Sequence, residues 1–435
     1  MMRVIGEAAK SSASLGGLVE ESVRALPERF LPNRSHPAPR RYGLHIQDVG
    51  TWTVATGDGR CALWWGEAGG VDAALHTTAE NWLAIVNGDL SGLDLFFSGD
   101  LQVSGDLNEA LRLETMFAAP LGTPGELRGG RLVRYRLDPR QRARAVALGE
   151  GAIDGLTIEA LEAGPADAPA VIMLHGLGAS KVSLLPLVAG LSATHRVVAL
   201  DFPGFGKSSS PVGAPYDAAW FAKVVQRTMD AAEIDQAFVV GNSMGGRVAV
   251  ELALAAPERV MGLGLLCPAV AFDEYRLMRP FLQASRLDLA LGVPGWKLPG
   301  PLPDWIVRNG LRAMFADHTR VPLANLDAAR EDFLRSINSR RRRMAFLACA
   351  RRIGLESPAR FWPRLVQMQT PSYWIFGDHD RLVSPSYADL VRSACPGAQV
   401  EVWESTGHVP QFEHPQHTNE RLSEFFLNCP DRAAG

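Results

Sequence analysis

The 435-residue chain has no stretch approaching the ~20 consecutive apolar residues that a bilayer span requires, so no segment reads as a membrane helix. It also lacks an excess of either charge. Against 44 Lys and Arg stand 47 Asp and Glu, a net of −3, and no clustered basic field is left for a nucleic-acid partner. Cysteine is scarce: Cys61, Cys267, Cys349, Cys395 and Cys429 are scattered, odd in number and without metal-ligand spacing. That usage implies free thiols in a reducing compartment, with neither a disulfide framework nor a metal site. The opening segment MMRVIGEAAKSSASLGG lacks the continuous apolar block of an export signal, which makes the cytoplasm the expected location. There is no repeat at a solenoid or propeller period, and no signature of oligomeric state.

What is present is an ordinary globular composition, 47% hydrophobic and 21% charged, at a length that favours two domains. Residues 1–41 read as a helix and a lead-in. Leu15, Leu18, Val19, Ser22, Val23, Leu26 and Phe30 fall near one helical face, and Pro27 is expected to kink or end it. Docking on the domain that follows is preferred to a helix lying on a membrane, although a transient membrane-surface contact stays open. Pro32, Pro37 and Pro39 then mark an extended stretch. Residues 42–118 read as a small α+β domain. Leu44 and Ile46, then Trp52 and Val54, alternate as strand residues do, and Gly57-Asp58-Gly59 signals a hairpin that places Cys61, Leu63 and Trp65 on one face. Thr77 with Glu80 forms a capping box before a helix that Gly88 ends; Asp106 with Glu109 caps another carrying Leu107, Ala110, Leu111 and Phe117. Residues 119–138, rich in Pro and Gly, read as a linker. Arg128, Arg131, Arg134, Arg136, Arg140, Arg142 and Arg144 alternate with Val133, Tyr135 and Leu137, the pattern of a solvated strand face. From 139 to 430 strand and helix signals alternate, as in a parallel sheet covered on both sides.

The chemistry concentrates in that second stretch. Gly241-Asn242-Ser243-Met244-Gly245 is a G-x-S-x-G pentapeptide with an apolar strand before it and a strong helix former run after it. A serine on so tight a turn needs small neighbours two residues away on each side, and Gly241, Gly245 and Gly246 provide them. A serine hydroxyl is a weak nucleophile without a base held by a third group. Two later strands end in Asp378-His379-Asp380 and in Gly407-His408, giving the order Ser243, Asp380, His408, each at the C-terminal end of a strand. Asp378 competes with Asp380, with Asp273 or Glu274 as a remote third choice; His379, His414 and His417 compete with His408. Glu413 stands at the start of the helical turn after His408. Upstream, an apolar strand runs into His175-Gly176-Leu177-Gly178, where the backbone amides of Leu177 and Met244 are the candidate oxyanion donors and His175 organises the loop. Gly206-Lys207-Ser208 imitates the tail of a phosphate-binding loop, but Asp201 stands where that motif needs glycine.

These motifs (HGLG, DFPGFGKSS, GNSMGG, GDHD and GHVPQFEHP), in this order, make residues 150–430 resemble the α/β-hydrolase family, most nearly its branch of meta-cleavage-product hydrolases and small serine esterases. The resemblance implies a doubly wound, mostly parallel α/β sheet and a helical cap inserted at 271–370. RLMRPFLQASRLDLALGV and WIVRNGLRAMF are its apolar patches, and Arg340 to Arg343 a solvated helix face. Relatives that open epoxides or remove halides use aspartate as nucleophile, which Ser243 argues against. Residues 42–118, through NWLAIVNGDLSGLDLFFSGDLQVSGDLNEALRLETMF, resemble the sterol carrier protein type 2 family, which implies an apolar tunnel for sterols or acyl chains. Together the two imply a serine hydrolase acting on a lipid or other apolar ester, needing no metal or organic cofactor. Carbon–carbon hydrolysis, acyl transfer, and a non-catalytic lipid-binding role are the alternatives.

Overall fold

A computed structural model describes residues 15–32, 38–67, 69–90, 92–117, 131–137, 153–270, 304–320, 330, 333–334, 338–354 and 357–430. The chain divides into two compact units, Met1–Gly129 and Gly130–Gly435.

The first unit is a five-stranded sheet in the order β3-β2-β1-β4-β5, with β1 Arg40–Ile46, β2 Gly50–Gly57, β3 Arg60–Trp65, β4 Ala73–Thr77 and β5 Leu101–Gly105. Only β1 and β4 run parallel. Asp58 (φ 49°) and Gly59 (φ 71°) both adopt the left-handed conformation of a two-residue hairpin turn, as their residue types anticipate. The helix Ala79–Asn87 starts one residue later than expected: Thr78, not Thr77, accepts from the Asn81 amide, while the Thr77 hydroxyl donates to the Asp100 carbonyl at 3.0 Å. The expected ends at Gly88 and Asp106 are where the structure has them. On the face assigned to Cys61, Leu63 and Trp65, the first two are half-buried and the third is exposed. β3 is the sheet edge, and Trp65, 61% exposed, lies across Gly50 and edge-on to Trp52 at 4.7 Å. The leading helix, Leu15–Arg24, gives way to a separate turn Leu26–Arg29 that carries Pro27 in its first positions. Val19, Val23 and Leu26 are buried, and Trp82 Nε1 donates to Ser22 Oγ at 2.8 Å, so the helix docks on this domain. The elements enclose a cleft of about 780 Å³, counting its open part, whose wall includes Leu44, Trp82, Phe96, Phe117 and, beside them, Arg29.

The second unit is an eight-stranded sheet, β13-β12-β11-β10-β8-β9-β7-β6. Its strands are β6 Arg131–Arg136, β7 Thr157–Ala163, β8 Ala170–Leu174, β9 Arg196–Leu200, β10 Ala237–Asn242, β11 Val260–Leu266, β12 Ser372–Gly377 and β13 Gln399–Trp403. All neighbours from β13 to β9 are parallel; β7 pairs antiparallel with both β9 and β6. β8, β10 and β12 are buried along their whole length, which is why they read as unbroken apolar runs rather than alternating ones. β6 corrects the expected linker of residues 119–138: its part from 131 to 136 is a strand of this sheet. Tyr135 points inward and Arg134 pairs with Glu159 at 2.7 Å, the alternation expected there; Arg128, Arg140, Arg142 and Arg144 lie outside the described residues. Within the expected cap, the structure has helices Asp304–Arg312, Arg340–Gly354 and Pro358–Leu365. Arg340 and Arg341 are exposed. The apolar stretch 276–293, with Asp273 and Glu274, lies outside the described residues. Among the described residues no helix is long and apolar enough to cross a membrane.

Candidate active site

After β8 the chain moves outward to β9 and then returns to the other side of β8 for β10, so the strand order reverses at β8. The C-terminal ends of strands at such a reversal form a natural crevice. Ser243 follows β10 there. Its backbone is held at φ 54°, ψ −115°, a conformation strained for any residue but glycine. The sharp bend is possible because a methyl group on Gly241 would overlap the backbone of Gly245, and one on Gly245 the carbonyl of Leu174. Gly246 is likewise pressed against Pro268. The Ser243 amide donates to the Leu266 carbonyl at 3.0 Å and its carbonyl accepts from Ala269 at 2.9 Å, so the bend is tied to the end of β11. Ser243 itself is half-buried between two buried neighbours, Asn242 and Met244.

The acid and base expected from the sequence meet. His408 Nδ1 donates to Asp380 Oδ2 at 2.7 Å, and both side chains are nearly sealed from solvent. Asp380 Oδ1 accepts from the amides of Leu382 (2.7 Å) and Val383 (2.9 Å), which fixes the orientation of the carboxylate. With Nδ1 carrying the proton, Nε2 of neutral His408 is an acceptor. The competitors lie elsewhere. Asp378 and His379 pair with each other at 2.6 Å on the exposed side of the turn, and the His414 and His417 rings pack against Trp403. The elbow and the His408 loop touch through Asn242, whose Nδ2 donates to the carbonyls of Leu266 (3.0 Å) and His408 (3.1 Å).

The HGLG loop runs along the elbow: a methyl group on Gly176 would stand 3.4 Å from Ser243 Cβ. Phe202 N–H donates to His175 Nε2 at 3.0 Å, so the His175 proton sits on Nδ1 and is given to the Gly176 carbonyl at 2.8 Å. Burial holds this imidazole down at about 4, hence neutral, as an organiser of the loop. Among the described residues neither the Leu177 nor the Met244 amide donates to an acceptor of the protein, and Met244 N opens the helix Met244–Ala255, where the helix dipole favours negative charge. The loop is anchored behind by a fully buried ion pair, Lys181 Nζ to Asp201 Oδ2 at 2.7 Å; Asp201 also accepts from the amides of Lys181 and Lys207.

Cys267 was not singled out from the sequence. It follows β11 at φ 44°, fully buried, with its Sγ, a carboxylate oxygen of Asp380 and a ring nitrogen of His408 all within 4.8 Å of one another. Burial and the nearby carboxylates of Asp380 and Glu413 push the thiol well up, so it stays protonated beside the pair. Its position at a strand's C-terminal end was the available signal. A nitrogen, oxygen and sulfur donor set of this kind is also the only cluster among the described residues with the donors for a metal ion, but its Asp380 and His408 atoms already hold each other.

Comparison with known proteins gives the family. Residues 169–415 match the alpha/beta hydrolase fold family and residues 31–118 the SCP-2 sterol transfer family. The chain is similar to a 2-hydroxy-6-oxononadienedioate/2-hydroxy-6-oxononatrienedioate hydrolase of Cupriavidus pinatubonensis, 28% identical over 60% of this chain and 88% of that one. It is also similar to a carboxylesterase of Bacillus subtilis, 26% identical over 61% of this chain and 82% of that one. Among solved structures, a membrane phospholipase A described as a bacterial virulence factor superposes with a TM-score of 0.52 at 27% identity, over 67% of this chain and 93% of that one. Strand order, elbow and family match lead to one conclusion: the chain belongs to the α/β-hydrolase family and carries an SCP-2 sterol-transfer domain ahead of its hydrolase domain.

Proposed function

We propose that this chain is a serine hydrolase that cleaves a carboxylic ester of a lipid or another apolar molecule, with Ser243, Asp380 and His408 as its triad. The observation that carries the reading is the buried 2.7 Å hydrogen bond from His408 to Asp380, held by Asn242 against a strained serine elbow. In this scheme His408 Nε2 takes the Ser243 proton as Oγ attacks the ester carbonyl. The tetrahedral oxyanion accepts from the Leu177 and Met244 amides. Collapse breaks the carbon–oxygen bond to the alcohol, which leaves with the proton from His408, and an acyl-enzyme remains. Water, activated by the same His408, then releases the acid and restores Ser243. Asp380 orients the ring and stabilises the imidazolium without taking the proton. The first domain, with its largely apolar cleft, supports an apolar substrate, because tethering a lipid-holding module raises the local concentration of what it holds.

The test is hydrolysis of p-nitrophenyl esters of increasing acyl length by the full chain and by Ser243→Ala. The substitution is expected to lower turnover by a factor on the order of 10⁴ or more. A second reading, carbon–carbon hydrolysis of a dienoic acid, is favoured by the similarity to the Cupriavidus pinatubonensis hydrolase. If wild type and Ser243→Ala are equally inert on every ester, ester cleavage is wrong and a ring-fission dienoate becomes the substrate to offer.

A further inference from the structure

The loop that carries His408 is fastened from two sides. Asn242 holds its carbonyl on the sheet side. On the other side runs the segment Met314 to Asp317, which follows the cap helix Asp304–Arg312. The His408 amide donates to the Met314 carbonyl at 2.7 Å. Beside this bond lies one carboxylate, Glu413, buried to 7% exposure. Its Oε2 accepts from the Gly407 amide at 2.7 Å, and its Oε1 from the amides of Ala316 (2.8 Å) and Asp317 (3.3 Å). Gly407 is pressed so closely to the cap segment that a methyl group there would stand 2.5 Å from the Met314 oxygen and 2.6 Å from the Ala316 nitrogen. Apolar contacts seal the junction: Phe315 and Val409 are buried together, flanked by Met314 and Phe412. A carboxylate taken out of water is costly unless its lone pairs are filled, and here backbone amides from both partners fill them. Burial pushes Glu413 up while those three amides pull it down.

Resting on the triad reading, we propose that Glu413 is a positioning residue: its carboxylate clasps the cap segment Met314–Asp317 to the loop of His408, so that the base is aligned with Asp380 only while that part of the cap is seated. Cap and base then form one mechanical unit. A cap segment lifted from its seat takes with it the two amides that hold the Glu413 carboxylate and the carbonyl that holds the His408 amide.

The experiment compares wild type, Glu413→Gln, Glu413→Ala and Phe315→Ala as full chains. It follows ester kcat and KM, and the downfield proton resonance of the His408 Nδ1–H···Asp380 bond. Glutamine keeps one acceptor oxygen but turns an amide NH2, itself a donor, toward the other donors, and alanine keeps no acceptor. Misplacement of a catalytic group by about 1 Å costs on the order of 100-fold, so kcat is expected to fall ~10-fold in Glu413→Gln and ~100-fold in Glu413→Ala, with KM nearly unchanged. The resonance is expected to broaden in the same order. Phe315→Ala, which loosens the cap segment without touching the carboxylate, is expected to broaden it too, and it keeps the test decisive should Glu413→Ala fail to fold. Variants that melt earlier but keep wild-type kcat and a sharp resonance would make Glu413 a purely structural residue and overturn the clasp alone. Full activity in Ser243→Ala, or no such resonance in wild type, would overturn the clasp and the triad together.

Discussion

At the residue scale, the site separates charged from neutral groups by what each is allowed to touch. Asp380 keeps three donors and His175 is shut away from water. The second fact has a consequence for stability. His175 titrates at about 4 in the folded chain and near 6.5 when exposed, so between those values the unfolded chain binds a proton that the folded chain refuses. The stabilisation is complete above about pH 6.5, is lost as pH falls toward 4, and changes no further below that. The difference in unfolding free energy between wild type and His175→Gln, measured by denaturant titration, is expected to shrink across that window and to stay constant above it. The positions of Ser243, Asp380 and His408 were legible in the sequence because each follows the C-terminal end of a strand, and strand ends are local features. Cys267 also ends a strand, but a lone thiol carries no order or spacing to mark it. The clasp of Glu413 was illegible for a different reason. Its cap partners are backbone amides nearly a hundred residues away, and an amide is present in every residue type but proline.

At the scale of the element, the loop after β8 depends on a salt bridge that water never reaches. Replacing Lys181 by Met leaves the Asp201 carboxylate buried without its cation, and such a change costs about 3–5 kcal/mol. Lys181→Met is therefore expected to melt well below wild type, and Lys181→Met with Asp201→Asn to recover part of the loss. Equal melting of the single and double variants would show that the pair is not coupled. The elbow is less forgiving still: Gly245→Ala pushes a methyl group into the Leu174 carbonyl, and circular dichroism with ester turnover is expected to report a damaged fold as well as lost activity. Elements themselves read well from the sequence where period and caps agreed, as at Asp106 and Gly88. They read poorly where pairing decided. β6 sits in a Pro- and Gly-rich stretch and is a strand because β7 offers it an edge; β3, at the sheet margin, keeps Cys61 and Leu63 half-buried and leaves Trp65 exposed.

At the scale of the whole molecule, Ser243, Asp380, His408 and Glu413 all lie within Gly130–Gly435, and the apolar cleft lies within the first unit. Residues 130–435 produced alone are expected to hydrolyse a short, soluble ester within about 3-fold of the full chain's rate. For a long-chain ester, kcat/KM is expected to fall by a factor on the order of 10, because the tethered first unit with its apolar cleft is gone. Parallel losses on both esters would instead mean that the hydrolase domain needs its neighbour in order to fold.

Asn242 carries one more consequence, for the ageing of the protein. An asparagine followed by serine is prone to lose its side-chain amide when the next backbone nitrogen attacks it through a five-membered ring. Here that nitrogen is occupied by the Leu266 carbonyl, and the Asn242 side chain is held by the same carbonyl and by that of His408. In the folded chain the reaction is geometrically blocked, so the shelf life of the active site is set by how often the elbow opens. Once it occurs the damage does not reverse. An aspartate at 242 has no hydrogen to offer Leu266 and His408 and places a negative charge against both their oxygens, so each opening that ends in hydrolysis of that amide permanently retires one molecule.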